Sequence, residues 1–264
     1  MERLLRSKTR PLIGVIHLPP LPGSPRPSPG MRVIVERALR DAETLCRGGA
    51  RGVIVENLGD APFSASEVEP HVTAMLAVVA KSIVSRFGEQ LSVGVNALRN
   101  DALSALGVAV ASEAEFIRVN VHTGVMATDQ GLIEGRARDT LLYRNQLGAN
   151  VGIAADILVK HATPLGVVDP VQVAEDTFYR GRADVVIYTG SGTGKTVDVA
   201  ELKLIREQCP DIPIWIGSGV NGENVGQLRA LCHGAIVGTY LHENGDLSAP
   251  LDEERVRGIA EALV

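Results

Sequence analysis

Aromatic residues make up only 3 % of the 264 residues. A core with so few rings must be built from Val, Ile, Leu and Ala, which suits buried parallel strands. Cysteine is equally scarce. Cys46, Cys209 and Cys232 are odd in number and form no CxxC pair, which speaks against a disulfide framework or a zinc ribbon. No apolar run approaches the ~20 residues that a membrane span needs. The opening MERLLRSKTRP has no apolar segment of the kind a secretory signal carries. There is no basic tail or basic run, and the net charge is −5, so nucleic acid is not an expected partner. These absences point to a cytoplasmic protein with no integral membrane segment.

What is present is a rhythm. Short β-rich runs recur at 12–17, 52–57, 91–96, 115–120, 151–156, 184–189, 213–217 and 234–238. Each is too short for a helix and rich in Val and Ile. Helical patterns follow them. Val35, Ala38, Leu39, Ala42 and Leu45 share one face, as do Val72, Met75, Leu76, Val79 and Ile83, and finally Val256, Ile259, Ala260 and Leu263. Eight strand–helix units predict an α/β chain folded as a (β/α)₈ TIM barrel. An open doubly wound sheet would carry a glycine fingerprint after the first strand. That strand runs instead into HLPPLPGSPRPSPG. No linker marks a second domain, so residues 1–264 read as a single barrel domain.

In such barrels the loops at the C-terminal strand ends carry the chemistry. Here those ends read His17; Glu56 and Asn57; Asn96; Asn120 and His122; Asp156; Tyr188 and Thr189; Ser218; Gly238 and Thr239. Strand 7 ends in IGSGV and strand 8 in IVGTYL. Glycine lets the backbone approach an anion closely, and a helix N-terminus offers free N–H groups. Gly217, Ser218, Gly219, Gly238 and Thr239 are therefore the expected phosphate cradle. TGSGTGKT, ending at Thr196, imitates a nucleotide P-loop, but the pattern GxxxxGK[ST] requires glycine where Thr189 stands. It reads as a glycine-rich active-site loop, with Gly192 and Lys195 joining the phosphate site.

VIHLPPLPGSP, GVIVENLGDAPF, FIRVNVHTG, ADILVKHATPLG and IGSGVNGENV followed by AIVGTYL resemble the BtpA/SgcQ family over nearly the whole chain. The resemblance implies a TIM barrel. One branch of the family is linked to biogenesis of photosystem I in cyanobacteria. The other is regarded as nucleosidases or sugar-processing enzymes.

Alternation along strand 5, continued through Lys160, puts Asp156 and Lys160 on the inner face. The same logic aligns Arg118, Asn120 and His122 on strand 4. Isolated charges inside a barrel are costly, so pairs are expected: Arg118 with Glu56, and Lys160 with Asp156. The candidate catalytic groups are Asp156 or Glu56 as general base, Lys160 as a Schiff-base nucleophile, and His122. Asp156, at a solvated mouth, should matter more to activity than to stability. His17, Asn57, Asn96, Asn120 and Arg118 are the candidate substrate contacts. His71, His233 and His242 read as helix or surface residues. No His/Asp/Glu cluster has metal-ligand spacing, and no metal or cofactor is expected. Loop 1, with six prolines from Pro19 to Pro29, reads as a stiff lid or partner-docking segment, and loop 4, GVMATDQGLIEGRARD, as a lid.

Two functions follow. One is an enzyme acting on a phosphorylated sugar or nucleoside-like small molecule, with cleavage of an N-glycosidic bond as one candidate reaction and isomerisation or aldol chemistry through a Lys160 Schiff base as a related one. The alternative is a non-catalytic assembly factor for a membrane complex. The expected partner is a phosphorylated small-molecule ligand, with a homo-oligomer left open.

Overall fold

The computed structural model describes residues 1–7, 9–189 and 197–264. Eight parallel strands close into a barrel: β1 Leu12–His17, β2 Gly52–Glu56, β3 Ser92–Asn96, β4 Phe116–Val119, β5 Gly152–Ile157, β6 Val185–Tyr188, β7 Ile214–Ile216 and β8 Gly234–Val237. Each pairs with its successor, and β8 returns to β1 with Ile13 opposite Ile236. All eight runs expected from the sequence are strands, with ends shifted by a residue or two.

Alternation sorts the side chains. On β2 and β4, Ile54 and Phe116 point inward, whereas Val53, Val55, Ile117 and Val119 meet the helices. The barrel interior holds Ile13, Val15, Ile54, Phe116, Ala154, Val185, Ile187, Trp215 and Ile236. Phe116 and Trp215 meet edge to face, with ring centroids 5.8 Å apart. Two of the chain's few rings thus fill the space that branched aliphatics usually fill. Gly94 makes room for them: a Cβ there would lie 2.3 Å from the Phe116 ring.

The helix Met31–Arg47 buries Ile34, Ala38, Ala42 and Leu45, and Pro70–Phe87 buries Val72, Leu76, Val79 and Ile83. Asp101, Asp169, Asp198 and Asp252 cap four later helices by accepting N–H bonds from the first turn, each worth ~1 kcal/mol.

Three features differ from expectation. Loop 4 is not structureless: Val125–Thr128 and Gly131–Glu134 form a hairpin, and Ala162–Pro164 adds a third antiparallel strand. Met126 and Ile133 pack under this sheet against Val121 and Val159. The proline-rich loop 1 is tied down, with Leu18 and Leu21 buried and the Leu21 N–H bonded to Asp60 Oδ1 at 2.8 Å. Strand β5 stops at Ile157, and Leu158 takes a φ of 51°, so strict alternation does not carry to Lys160.

Candidate active site at the C-terminal end of the barrel

A cavity of about 230 Å³ opens among the C-terminal strand ends. His17, Glu56, Arg118 and Lys160 line it from β1, β2, β4 and the loop after β5; Gly217–Asn221 and Val237–Tyr240 line it from β7 and β8. The five expected cradle residues Gly217, Ser218, Gly219, Gly238 and Thr239 are therefore together on one wall. Gly192 and Lys195 lie outside the described residues.

The glycines have local reasons. Gly219 takes a φ of 75°, in the left-handed region. A Cβ on Gly238 would lie 2.5 Å from His17 Cε1. Among the described residues, no acceptor meets the backbone N–H of Ser218, Gly219, Val220 or Gly238. The following helix, Val225–Leu228, adds less than the sequence suggested. The N–H groups of Glu223 and Asn224 are already taken by Asn221 Oδ1 at 2.9 and 3.1 Å. The open donors are those of the turns.

The opposite wall is charged and ordered. Arg118 does not take Glu56 as its close partner. Its Nη2 donates to Asp156 Oδ2 at 3.0 Å and its Nε to Oδ1 at 3.3 Å, while Glu56 stands 3.9 Å from Nη1. Asn120 adds a bond to Asp156 Oδ2 at 2.8 Å. The Asp156 side chain is fully buried rather than at a solvated mouth. Burial pushes its carboxyl up, against the pull of Arg118 and Asn120. The forked guanidinium contact favours the ionised form of both partners. The expected Lys160–Asp156 pair is absent: among the described residues no carboxylate lies within 4 Å of Lys160 Nζ. β5 ends before Lys160, so its side chain reaches the cavity from a loop.

Glu56 is the carboxylate that faces the cavity. Burial disfavours its charge, but His17, Arg118, Lys160 and the Asn96 amide, 2.8 Å away, outweigh it and hold its pKa below the usual carboxylate value. His17 Nε2 stands 3.9 Å from Glu56. Burial brings the His17 pKa down to about 4 despite that carboxylate, so the ring is neutral at pH 7. Lys160 is lowered by burial and by the nearby Arg118.

The other candidates take supporting places. Asn96 and Asn120 spend their amides on Glu56 and Asp156. Asn57 joins loops, donating to Asp60 and accepting from the Leu98 N–H. His122 is buried against the Gly181 carbonyl at 2.8 Å, away from the cavity lining. Two residues were missed. His242 is buried, not on the surface, and stacks on His17 with centroids 6.1 Å apart. The chain after β8 doubles back, as the Asp252 N–H to Leu241 carbonyl bond shows, and no spacing reveals that. Arg99 is also buried, and its Nη2 donates to the Lys160 carbonyl at 2.9 Å. Its place in ALRND directly after Asn96 was the available signal. Among the described residues no group of three or more His, Cys, Asp or Glu converges as a metal site. No helix among them is long and apolar enough to cross a membrane.

Fold and cavity together define a TIM barrel with a polar, glycine-walled site at its C-terminal face. Solved structures of that shape include 3-hexulose-6-phosphate synthase from Salmonella typhimurium, with a TM-score of 0.60 at 12 % identity, covering 96 % of this chain and 98 % of the other. N-(5'-phosphoribosyl)anthranilate isomerase from Pyrococcus furiosus gives 0.58 at 13 % identity over the same shares. At such identities the likeness is one of fold. Sequence goes further: the BtpA family model matches residues 8–264, and the chain belongs to that family. Photosystem I biogenesis protein BtpA of Synechocystis sp. is 44 % identical over 253 residues, 96 % of this chain and 88 % of the relative.

Proposed function

We propose that the protein is an enzyme that acts on a small phosphorylated sugar or nucleoside-like compound. One observation carries this reading: the open amides of the two glycine turns share a single cavity with an ionised carboxylate, a neutral imidazole and a lysine. The phosphate sits on Gly217, Ser218, Gly219, Gly238 and Thr239, where backbone dipoles meet its charge without a counter-cation. The reacting carbon then lies toward Glu56. For an N-glycosidic bond, Glu56 takes a proton from water as the water oxygen attacks the anomeric carbon, and the base departs with the C–N electron pair. Glu56 replaces Asp156 in this role because Asp156 is held under Arg118. The fold likeness to enzymes named for a hexulose phosphate and a phosphoribosyl compound supports the substrate class. The name of the Synechocystis relative supports a second reading, assembly of a membrane complex without catalysis.

The test is incubation with a panel of sugar phosphates and nucleoside phosphates, read by mass spectrometry, for wild type and Glu56→Gln. Turnover by the wild type that vanishes in the variant supports the enzyme. No turnover, with the protein co-fractionating with membranes, supports the assembly factor.

A further inference from the structure

The chain has five lysines. Lys81, Lys160 and Lys203 are described. Lys81 meets Glu113 at 2.8 Å and Lys203 meets Glu207 at 3.7 Å, both on the exposed surface. Lys160 differs on each count. Among the described residues its Nζ has no carboxylate within 4 Å, and it lines the cavity beside the glycine turns. Its backbone is fixed, because Arg99, itself buried, donates to its carbonyl. A lysine that only balanced charge would stand against Glu56 or Asp156. Those carboxylates are instead occupied, Asp156 by Arg118 and Asn120, Glu56 by Asn96.

We propose that Lys160 is a nucleophile that forms an imine with the carbonyl carbon of a phosphorylated aldehyde or ketone. The proposal rests on the phosphate reading above and narrows its substrate class to carbonyl compounds, including sugar phosphates in their open-chain form. The amine must be unprotonated to attack. Burial and the fixed Arg118 guanidinium favour that state. The Nζ lone pair forms the C–N bond while the carbonyl π pair moves to oxygen, which takes up a proton. The carbinolamine then loses its oxygen as water, the two hydrogens of the amine having left nitrogen, and a C=N bond remains. Glu56, in the same cavity, accepts the proton from nitrogen and returns it to the departing oxygen. The phosphate on the turns of β7 and β8 holds the short carbon chain across the cavity from its anchor to Lys160.

Reductive trapping tests this. Wild type and Lys160→Met are incubated at pH 8 with glyceraldehyde 3-phosphate and cyanoborohydride, then analysed by intact mass and peptide mapping. Circular dichroism confirms that both are folded. The expected product carries the probe less one oxygen atom on the peptide containing Lys160. Lys160 should be labelled ahead of Lys81 and Lys203, which are paired with Glu113 and Glu207 on the exposed surface, away from the cavity. Labelling should fall when inorganic phosphate competes, and it should be lost in Lys160→Met. Labelling spread evenly over the lysines, confined to Lys195, or unchanged in Lys160→Met overturns the proposal. Binding of inorganic phosphate alone, measured by calorimetry, decides separately whether the phosphate reading stands.

Discussion

Replacing Asp156 by Asn should cost the fold about as much as breaking any buried ion pair. The Asp156 carboxylate accepts two bonds from Arg118 and one from Asn120, with its side chain out of contact with water. In Asp156→Asn one acceptor oxygen becomes a donor NH₂, which must face either the guanidinium or the Asn120 amide. Arg118 would then keep only one carboxylate, Glu56, at 3.9 Å. Removing one partner of a buried pair costs ~3–5 kcal/mol, and the remaining carboxylate argues for the lower end, ~3 kcal/mol. For a chain of this size that lowers Tm by roughly 6–12 °C. Urea unfolding at pH 7 measures it, with the fluorescence of the buried Trp215 and far-ultraviolet circular dichroism followed together. The double variant Arg118→Met with Asp156→Leu removes both charges and should recover much of the loss. An Asp156→Asn protein within ~0.5 kcal/mol of wild type, the range of an ordinary surface change, would refute the assignment of Asp156 as the clamp of Arg118.

Glu56→Gln should cost less stability than Asp156→Asn, since Arg118 keeps Asp156, yet lower kcat by ~10²–10⁴-fold on whatever compound the panel identifies; a rise in KM alone would make Glu56 a binding group. His17 has its folded pKa depressed to about 4 from 6.5, so the unfolded state binds more protons between those values. The stability this burial gives is full above about pH 6.5 and is lost as pH falls toward 4, by at most about 3 kcal/mol. His17→Asn should therefore lose less stability than wild type between pH 7 and pH 4 in urea titrations, and parallel losses would exclude a buried neutral His17. Gly238→Ala places a methyl 2.5 Å from the His17 ring; it should weaken phosphate binding in calorimetry and cost ~1–3 kcal/mol through overpacking. Gly226→Ala is its control, since nothing lies within 4 Å of that position.

Strand spacing and helix stripes were legible because period 2 and period 3.6 are local properties, and the runs around Val53 and Leu76 obey them cleanly. That the glycines of loops 7 and 8 line one cavity was legible because barrel connectivity places those loops side by side. Pairing was not. Whether Arg118 turns to Glu56 or to Asp156 depends on distances across three strands, which alternation does not encode. Lys160 was placed in the cavity for the wrong reason, as a strand residue, when Leu158 had already left the β region. The hairpin at Val125 was missed although VMAT and GLIE flank a turn that ends at Gly131, with its φ of 102°. His242 gave no local signal at all, since its burial depends on a loop that returns to Leu251.

The interior of the barrel is divided along its axis. Toward the N-terminal end it is dry, packed by Phe116 and Trp215; toward the C-terminal end it is ionic, with Arg118 bridging from β4 to β5 and β2. Arg118 is two residues from Phe116 on the same strand and the same face, so one pleat separates the layer that packs the barrel from the layer that lines the cavity. Such a barrel resembles a socket with interchangeable contacts. Substitutions at His17, Glu56 or Lys160 change the cavity lining and leave the aromatic plug beneath in place, whereas a change at Gly94 or Trp215 strikes the packing of Phe116 itself. Divergence in substrate among proteins sharing this barrel should therefore concentrate in a shell one residue deep.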